Sequence, residues 1–305
     1  MSEFDVSKGT MQKRVFRWAL KAALLLLLVS FIAAWFVGGR LVASANREIQ
    51  TPNDLPVEAF EIDSQSGSSI AGWSLSNEPA DPVVILLHPV RANRTVMMGR
   101  AKLFFENGFT VVMIDLQAHG ESPGDNITLG HLEKHDVRAV VDFVKEKFSG
   151  NKIGIVGWSL GGASALLASP LEIDAMVLES VYPTISHAVY DRVEMRLGAI
   201  KYVAAPILLG QLPLRLGISA NDLRPIDFAN RIDCPVLILA GEKDLHTPMD
   251  ESQMMFDAAK EPKEMVTFFG AAHEDLQEYD PEQYHAKVVE FLRATLTSQG
   301  SLSLE

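Results

Sequence analysis

Cysteine is nearly absent from this chain: Cys234 is the only one in 305 residues. A single thiol excludes an intramolecular disulfide and any zinc cluster built on cysteines. Cys234 stands directly before Pro235 at the head of an apolar stretch, where core packing accounts for it better than nucleophilic chemistry does. Basic residues are also scarce, with 27 Lys and Arg against 39 Asp and Glu, for a net charge of −12. The deficit is uneven. Residues 1–50 hold seven basic and three acidic side chains, so this head carries +4 and the remainder −16. An acidic body argues against nucleic acid as its partner. Internal repeats and low-complexity segments are lacking too.

One long apolar run is present. Ala22 to Gly39 is 18 residues without a charge. At about 1.5 Å per residue it spans roughly 27 Å, close to a hydrocarbon core once Trp18 and the Lys21 stem are added. Trp18 and Trp35 flank it as an aromatic belt would. Lys8, Lys13, Arg14, Arg17 and Lys21 precede the run, and only Arg40 and Arg47 closely follow it. The positive-inside bias therefore predicts a single-pass membrane helix over residues 18–39, with a cytoplasmic N-terminus and the body on the outer side. A cleavable signal peptide is the rival reading. "ASA" at 43–45 fits a small-x-small site, and cleavage after Ala45 would release a secreted form. The run is long for a signal peptide, which favours a retained anchor over residues 1–45.

Residues 46–56 are polar, contain Pro52 and Pro56, and read as a linker. From Val57 to Leu296 strands and helices alternate. "VEAFEI" (57–62) and "IAGWSL" (70–75) alternate apolar and polar residues across a turn signal and predict a hairpin at a sheet edge. "PVVILLH" (82–88), "FTVVMID" (109–115), "KIGIVG" (152–157), "DAMVLES" (174–180), "PVLILAG" (235–241) and "EMVTFFG" (264–270) are apolar runs suited to buried parallel strands. Helical patterns lie between and after them, the last over 281–296, so the class is α/β: a mostly parallel sheet with helices on both faces. Residues 181–233 break the alternation and read as an inserted helical cap. Residues 297–305 read as a flexible tail.

Chemistry concentrates at three strand ends. Gly157-Trp158-Ser159-Leu160-Gly161 is G-x-S-x-G between a buried strand and a helix, the context in which a serine nucleophile sits on a sharp turn. Side chains at 157 or 161 would clash in such a turn. The amide of Leu160 would then point toward a developing oxyanion. Asp244 follows "PVLILAG" and His273 follows "EMVTFFG", which completes the chain order Ser, Asp, His. Each alone has an ordinary explanation: a packing turn for Ser159, a turn residue for Asp244, a surface histidine for His273. Together, each after a strand of one parallel sheet, they converge on the edge where open α/β sheets bind ligands. His131 and His135 stand four apart like a metal pair, but no third ligand is evident and a solvated helix face explains them. His246 is placed to line the pocket, and His187 falls in the cap.

The body resembles the α/β-hydrolase fold family over nearly all of residues 57–296. "LLHPV" occupies the place of its His-Gly oxyanion loop, and "IDLQAHGES" resembles its Asp-x-Arg-Gly-His-Gly-x-Ser turn. "AGEKDLHTP" and "GAAHEDL" resemble its acid and histidine segments. More narrowly the chain is similar to a group of bacterial serine hydrolases with "LESVYPTI" and "LRPIDF" near the cap. The resemblance implies catalytic Ser159, Asp244 and His273, with oxyanion-hole amides from Val90 and Leu160. It also implies hydrolysis of a small-molecule or lipid-like carboxylic ester through an acyl-enzyme, with no metal or cofactor. Two departures stand out: Pro89 replaces a glycine, and Gln117 replaces the arginine. A peptidase or thioesterase on the same triad is the alternative. A membrane-tethered binding protein without catalysis is a more distant one, because fold alone does not give function.

Overall fold

A computed structural model of the chain describes residues 3–297 except 54, 77, 79 and 80, and describes side chains from Lys13 onward. The flexible tail expected at 297–305 therefore lies, beyond Thr297, outside the described residues.

Eight strands make the main sheet: β1 Glu58–Asp63, β2 Ser69–Leu75, β3 Val83–Leu87, β4 Thr110–Ile114, β5 Ile153–Trp158, β6 Ala175–Glu179, β7 Val236–Gly241 and β8 Lys263–Phe268. Their order is β8-β7-β6-β5-β3-β4-β2-β1. β3 to β8 pair in parallel, while β2 runs antiparallel to both β4 and β1, so the expected edge hairpin is present. β3 is buried along its whole length, as a strand covered on both faces requires. Its residues alternate between two cores. Ile85 and Leu87 join Val112, Ile155 and Leu178 on one face, and Val84 and Leu86 join Val111, Val156 and Val177 on the other. The chain leaves β3 toward β4 on one side and later adds β5 on the other. The order reverses there, and that is the place where an α/β sheet opens a crevice at its carboxyl edge.

Helix α1, Glu3–Val42, contains the long apolar run. Its side chains from Lys13 to Arg40 are exposed almost throughout, so in water this helix has no folded partner for most of its length. α2 (Met98–Glu106) follows β3, α3 (Glu133–Lys147) follows β4 and α4 (Leu160–Ala168) follows β5. The insertion at 181–233 is helical: α5 Ile185–Leu197, α6 Lys201–Leu209, α7 Leu212–Leu216 and α8 Ile226–Ala229. Gly198 at φ 55° and Gly217 at φ 69° end α5 and α7 in backbone that glycine adopts without strain. α9, Met249–Ala258, lies between β7 and β8, and short helical segments from Leu276 to Leu296 close the chain.

The stretch expected to begin a linker starts as structure. Ala45 and Asn46 pair in parallel with His119 and Gly120. The Ala45 amide donates to the Ala118 carbonyl at 2.7 Å, and the Ile127 amide donates to the Val42 carbonyl at 2.8 Å. The end of α1 is thereby stitched into the loop after β4.

Two buried ionic groupings stand out. Arg100 on α2 is fully buried. Its Nη2 donates to Glu179 Oε2 at 2.6 Å, its Nη1 to Asp275 Oδ2 at 2.7 Å, and the Tyr284 hydroxyl donates to Glu179 Oε1 at 2.5 Å. The second grouping joins cap to body. Asp191 on α5 and Glu251 on α9 are neighbouring carboxyls. Asp191 Oδ2 and Glu251 Oε2 are buried and have no hydrogen-bond partner. A shared proton supplies the donor that two carboxylates lack. Burial and then the Asp191 contact push the Glu251 carboxyl up to about 9.

Two outcomes follow from these groupings. Arg100→Met strands a buried Glu179 and is expected to cost about 3–5 kcal/mol in urea unfolding. Adding Glu179→Gln, which still accepts from Tyr284, should restore most of that; an unchanged stability in Arg100→Met would contradict the account. For Glu251, the folded chain keeps a proton that the unfolded chain releases from its ordinary value of 4.5 upward. Its contribution to stability is therefore full below pH 4.5 and is lost as pH rises to about 9. Glu251→Gln should flatten the fall in melting temperature between pH 5 and pH 9, and an identical fall in both proteins would sink this assignment.

Candidate active site

β5 ends at Trp158, and the next residue, Ser159, lies at φ 49° and ψ −109° before α4 begins. That is a costly conformation for a residue with a side chain. Close packing enforces it. A Cβ at Gly157 would come within 2.6 Å of Gly162 Cα, and one at Gly161 within 2.3 Å of the Leu87 carbonyl oxygen. The first turn of α4 thus lies directly against the ends of β5 and β3. The Ser159 amide donates to the Glu179 carbonyl at 2.8 Å, which clamps the turn to β6. Ser159 itself is only 1% exposed. Leu160 opens α4, so its amide is among those with no carbonyl to bond inside the helix.

Asp244 sits three residues past β7 and is buried. Its Oδ1 accepts from the amides of His246 at 2.7 Å and Thr247 at 2.9 Å. Its Oδ2 accepts from His273 Nδ1 at 2.7 Å. Burial alone would raise this carboxyl, but the hydrogen bond and charge of His273 and the two amides outweigh it and hold it below the ordinary value. His273 follows β8, on the loop that meets the loop after β7: the Lys243 amide donates to the Ala271 carbonyl at 2.8 Å. With Nδ1 engaged by Asp244, Nε2 is the ring nitrogen left to take a proton. β5, β7 and β8 end on one edge of the sheet, so the structure brings Ser159, Asp244 and His273 to that edge. The His246 ring stands edge-on to His273 at 4.7 Å. Burial, then the charge of Arg192, lowers His246 to about 4, so it is neutral near pH 7.

Val90 lies in the turn after β3, and its amide meets no protein acceptor among the described residues. Pro89 has no N–H to donate, and its carbonyl accepts from His88 Nδ1 at 2.8 Å. His88 Nε2 accepts from the Leu116 amide at 3.0 Å. Arg91, at φ 61°, donates its amide to His119 Nε2 at 3.0 Å, and His119 Nδ1 donates to the Gln117 carbonyl at 2.9 Å. Both histidines therefore use both ring nitrogens as neutral frame members. Burial first, then the neighbouring His119, lowers His88 to about 3. The Arg91 guanidinium donates to the carbonyls of Arg40 at 3.1 Å and Ala43 at 3.0 Å, tying the Val90 turn to the end of α1.

In the loop after β4, Gln117 stands where the resemblance has an arginine. Gln117 Nε2 donates to Glu133 Oε1 at 2.7 Å and to the Asn126 carbonyl at 3.1 Å. The guanidinium for Asp115 comes from Arg94, which also bonds Glu121 and stacks on Trp73 at 4.2 Å. Gly120 is required there, because a Cβ would lie 2.1 Å from Asp115 Oδ2. His131 falls in a turn ahead of α3, so it does not share a helix with His135, and no cluster of metal-ligating side chains occurs among the described residues. His187 Nδ1 lies 2.8 Å from the Thr184 hydroxyl at the start of α5. Arg192 on α5 is a contact the sequence did not announce: its Nη1 donates to the His246 carbonyl at 3.3 Å, joining the cap to the loop that carries Asp244. No motif marks Arg192, Arg91 or Arg94, since each acts through a partner distant in sequence.

The model of the alpha/beta hydrolase family matches residues 84–289. The uncharacterized protein YqkD of Bacillus subtilis (strain 168) is 26% identical over 239 residues, covering 77% of this chain and 78% of YqkD. The uncharacterized protein YfhR of Escherichia coli (strain K12) is 24% identical over 265 residues, covering 83% and 86%. Among solved structures, the Pyrococcus furiosus esterase Pf2001 superposes with a TM-score of 0.68 at 22% identity, over 83% of this chain and 98% of that one. Est1E of Butyrivibrio proteoclasticus, solved with ferulic acid bound, superposes at 0.62 and 22% identity, over 79% and 100%. The two superpositions show the same overall fold, and the match over two thirds of the sequence places this chain in the alpha/beta hydrolase family.

Proposed function

We propose that this protein is a membrane-anchored serine hydrolase that cleaves a carboxylic ester, acyl or lipid-like, through Ser159, Asp244 and His273. The observation that carries the reading is the 2.7 Å His273–Asp244 hydrogen bond on the sheet edge where the strained Ser159 turn also ends. In the proposed reaction His273 Nε2 takes the Ser159 proton as Oγ attacks the ester carbonyl. Asp244 holds the imidazole tautomer and stabilises its positive charge. The amides of Val90 and Leu160 receive the oxyanion. His273 then protonates the leaving alcohol, and a water activated by the same ring hydrolyses the acyl-serine. A solved neighbour named as an esterase, and a second, Est1E, that holds ferulic acid, support an ester as the bond cleaved.

Residues 18–39 of α1 form the proposed anchor, N-terminus in the cytoplasm and body outside. The length and apolarity of the helix support this reading, as does the basic stretch before it. Retention rather than cleavage after Ala45 is supported by the use the fold makes of the junction: Val42, Ala43 and Ala45 all bond the body.

The test is a panel of p-nitrophenyl and glycerol esters of graded acyl length, offered to the full chain in detergent. Wild type is expected to hydrolyse a subset, and Ser159→Ala should lose about 10³-fold or more in kcat while keeping its unfolding midpoint. Asp244→Asn is expected to fall by a comparable order through loss of the correct tautomer. Undiminished turnover by Ser159→Ala would overturn the reading.

A further inference from the structure

The cap carries an apolar face that nothing in the fold covers. Ile200, Tyr202, Val203 and Leu214 are 58%, 69%, 64% and 74% exposed. Tyr202, Val203 and Pro206 fall on one exposed face of α6, while Ala205 on the same helix is buried. Monomers in water rarely leave such residues contiguous and bare.

What lies beside this face identifies its partner. α6 packs on α1, and α7 follows it there. Gln211 Nε2 donates to the Ala34 carbonyl at 3.0 Å, and Arg215 Nη2 donates to the Trp35 carbonyl. A Cβ at Gly38 would lie 2.2 Å from Gln211 Oε1, and one at Gly39 would lie 3.0 Å from Arg215 Nη1. The Arg215 guanidinium stacks on Trp35 at 3.9 Å. All four α1 positions belong to the apolar run that ends at Gly39. From Ala34 to that end the helix rises about 7.5 Å. Interfacial helices bury their apolar faces about 5–10 Å below the headgroups. With α1 as the anchor of the proposed function, these contacts would hold the cap where the anchor leaves the bilayer.

We propose that the cap rests in the outer headgroup layer, with α6 and α7 turned to the acyl chains and their basic residues to anionic headgroups. This rests on the reading of α1 as an anchor. The charge agrees: residues 185–216 carry four basic against two acidic side chains, and with Arg192 turned to His246 this leaves Arg196, Lys201 and Arg215 for the headgroups, within a body that is otherwise strongly acidic. Residues 185–216 are also apolar enough to pass as a spanning helix by length and composition, yet the chain breaks them into α5, α6 and α7, of which α6 packs on α1. An ester dissolved in the bilayer would meet the cap before it meets water.

The test uses the full chain in phosphatidylcholine–phosphatidylglycerol liposomes. Nitroxide labels are placed at Tyr202→Cys, Leu214→Cys and Lys102→Cys in a Cys234→Ser background, and power saturation compares oxygen with the water-soluble relaxant NiEDDA. The expected result is a positive depth parameter at 202 and 214 and a negative one at 102. Labels at 202 and 214 as open to NiEDDA as the label at 102, on a chain that resists alkaline carbonate extraction, would overturn the cap placement and leave the anchor standing. Loss of the chain to carbonate would remove the anchor and the cap placement together. Dipolar broadening at 202 or 214 that disappears on dilution with unlabelled chain would assign the face to a second copy and also overturn the proposal.

Discussion

The carbonyl of Glu179 holds the amide of Ser159, and most of the candidate site depends on that one clamp at the end of the central sheet. It keeps the serine at φ 49° while the glycines at 157, 161 and 162 let α4 approach the strands closely. The side chain of the same glutamate is buried against Arg100, and Arg100 reaches Asp275, two residues past His273. A single ionic group beneath the sheet edge thus touches both the residue that clamps the serine and the loop that carries the histidine. The Arg100 guanidinium also lies 5.0 Å from the Trp158 ring, the residue immediately before the serine. Buried pairs of this kind are expensive to desolvate and give little net stability. Their value here is positional: Arg100 ties the end of β6 to the loop that carries His273.

The N-terminal helix has the same character. Read as a tether alone, it would need only length and apolarity. The structure gives its end three further tasks: a carbonyl for the Ile127 amide, two carbonyls for Arg91 beside the Val90 turn, and a packing surface for α6 and α7. In the proposed enzyme, anchor, oxyanion loop and cap are one mechanical unit.

Much of this was legible in the sequence, for local reasons. The strand runs, the edge hairpin and the helical insertion follow from apolar periodicity, and glycine spacing marks the Ser159 turn. Asp244 and His273 were legible because the order of strands dictates where such residues fall. Other features had no such signal. Arg100, Arg91, Arg94 and Arg192 bond partners 21 to 175 residues away, and nothing local distinguishes them from surface arginines. Pro89 and Gln117 read as departures from a pattern. The structure shows how each is used: Val90 keeps its amide free beside Pro89, and Gln117 bonds Glu133 and the Asn126 carbonyl. His131 and His135 looked paired because helical spacing was assumed across a residue that lies in a turn.

The central claim is that the Ser159 hydroxyl is a nucleophile activated through His273. Treatment of the folded full-length protein with a fluorophosphonate, followed by peptide mass spectrometry, tests it most directly. One phosphonyl group per chain on the peptide containing Ser159, absent after prior denaturation, is the predicted result. A folded wild-type chain that stays unmodified, or carries its adduct on another residue, would contradict it.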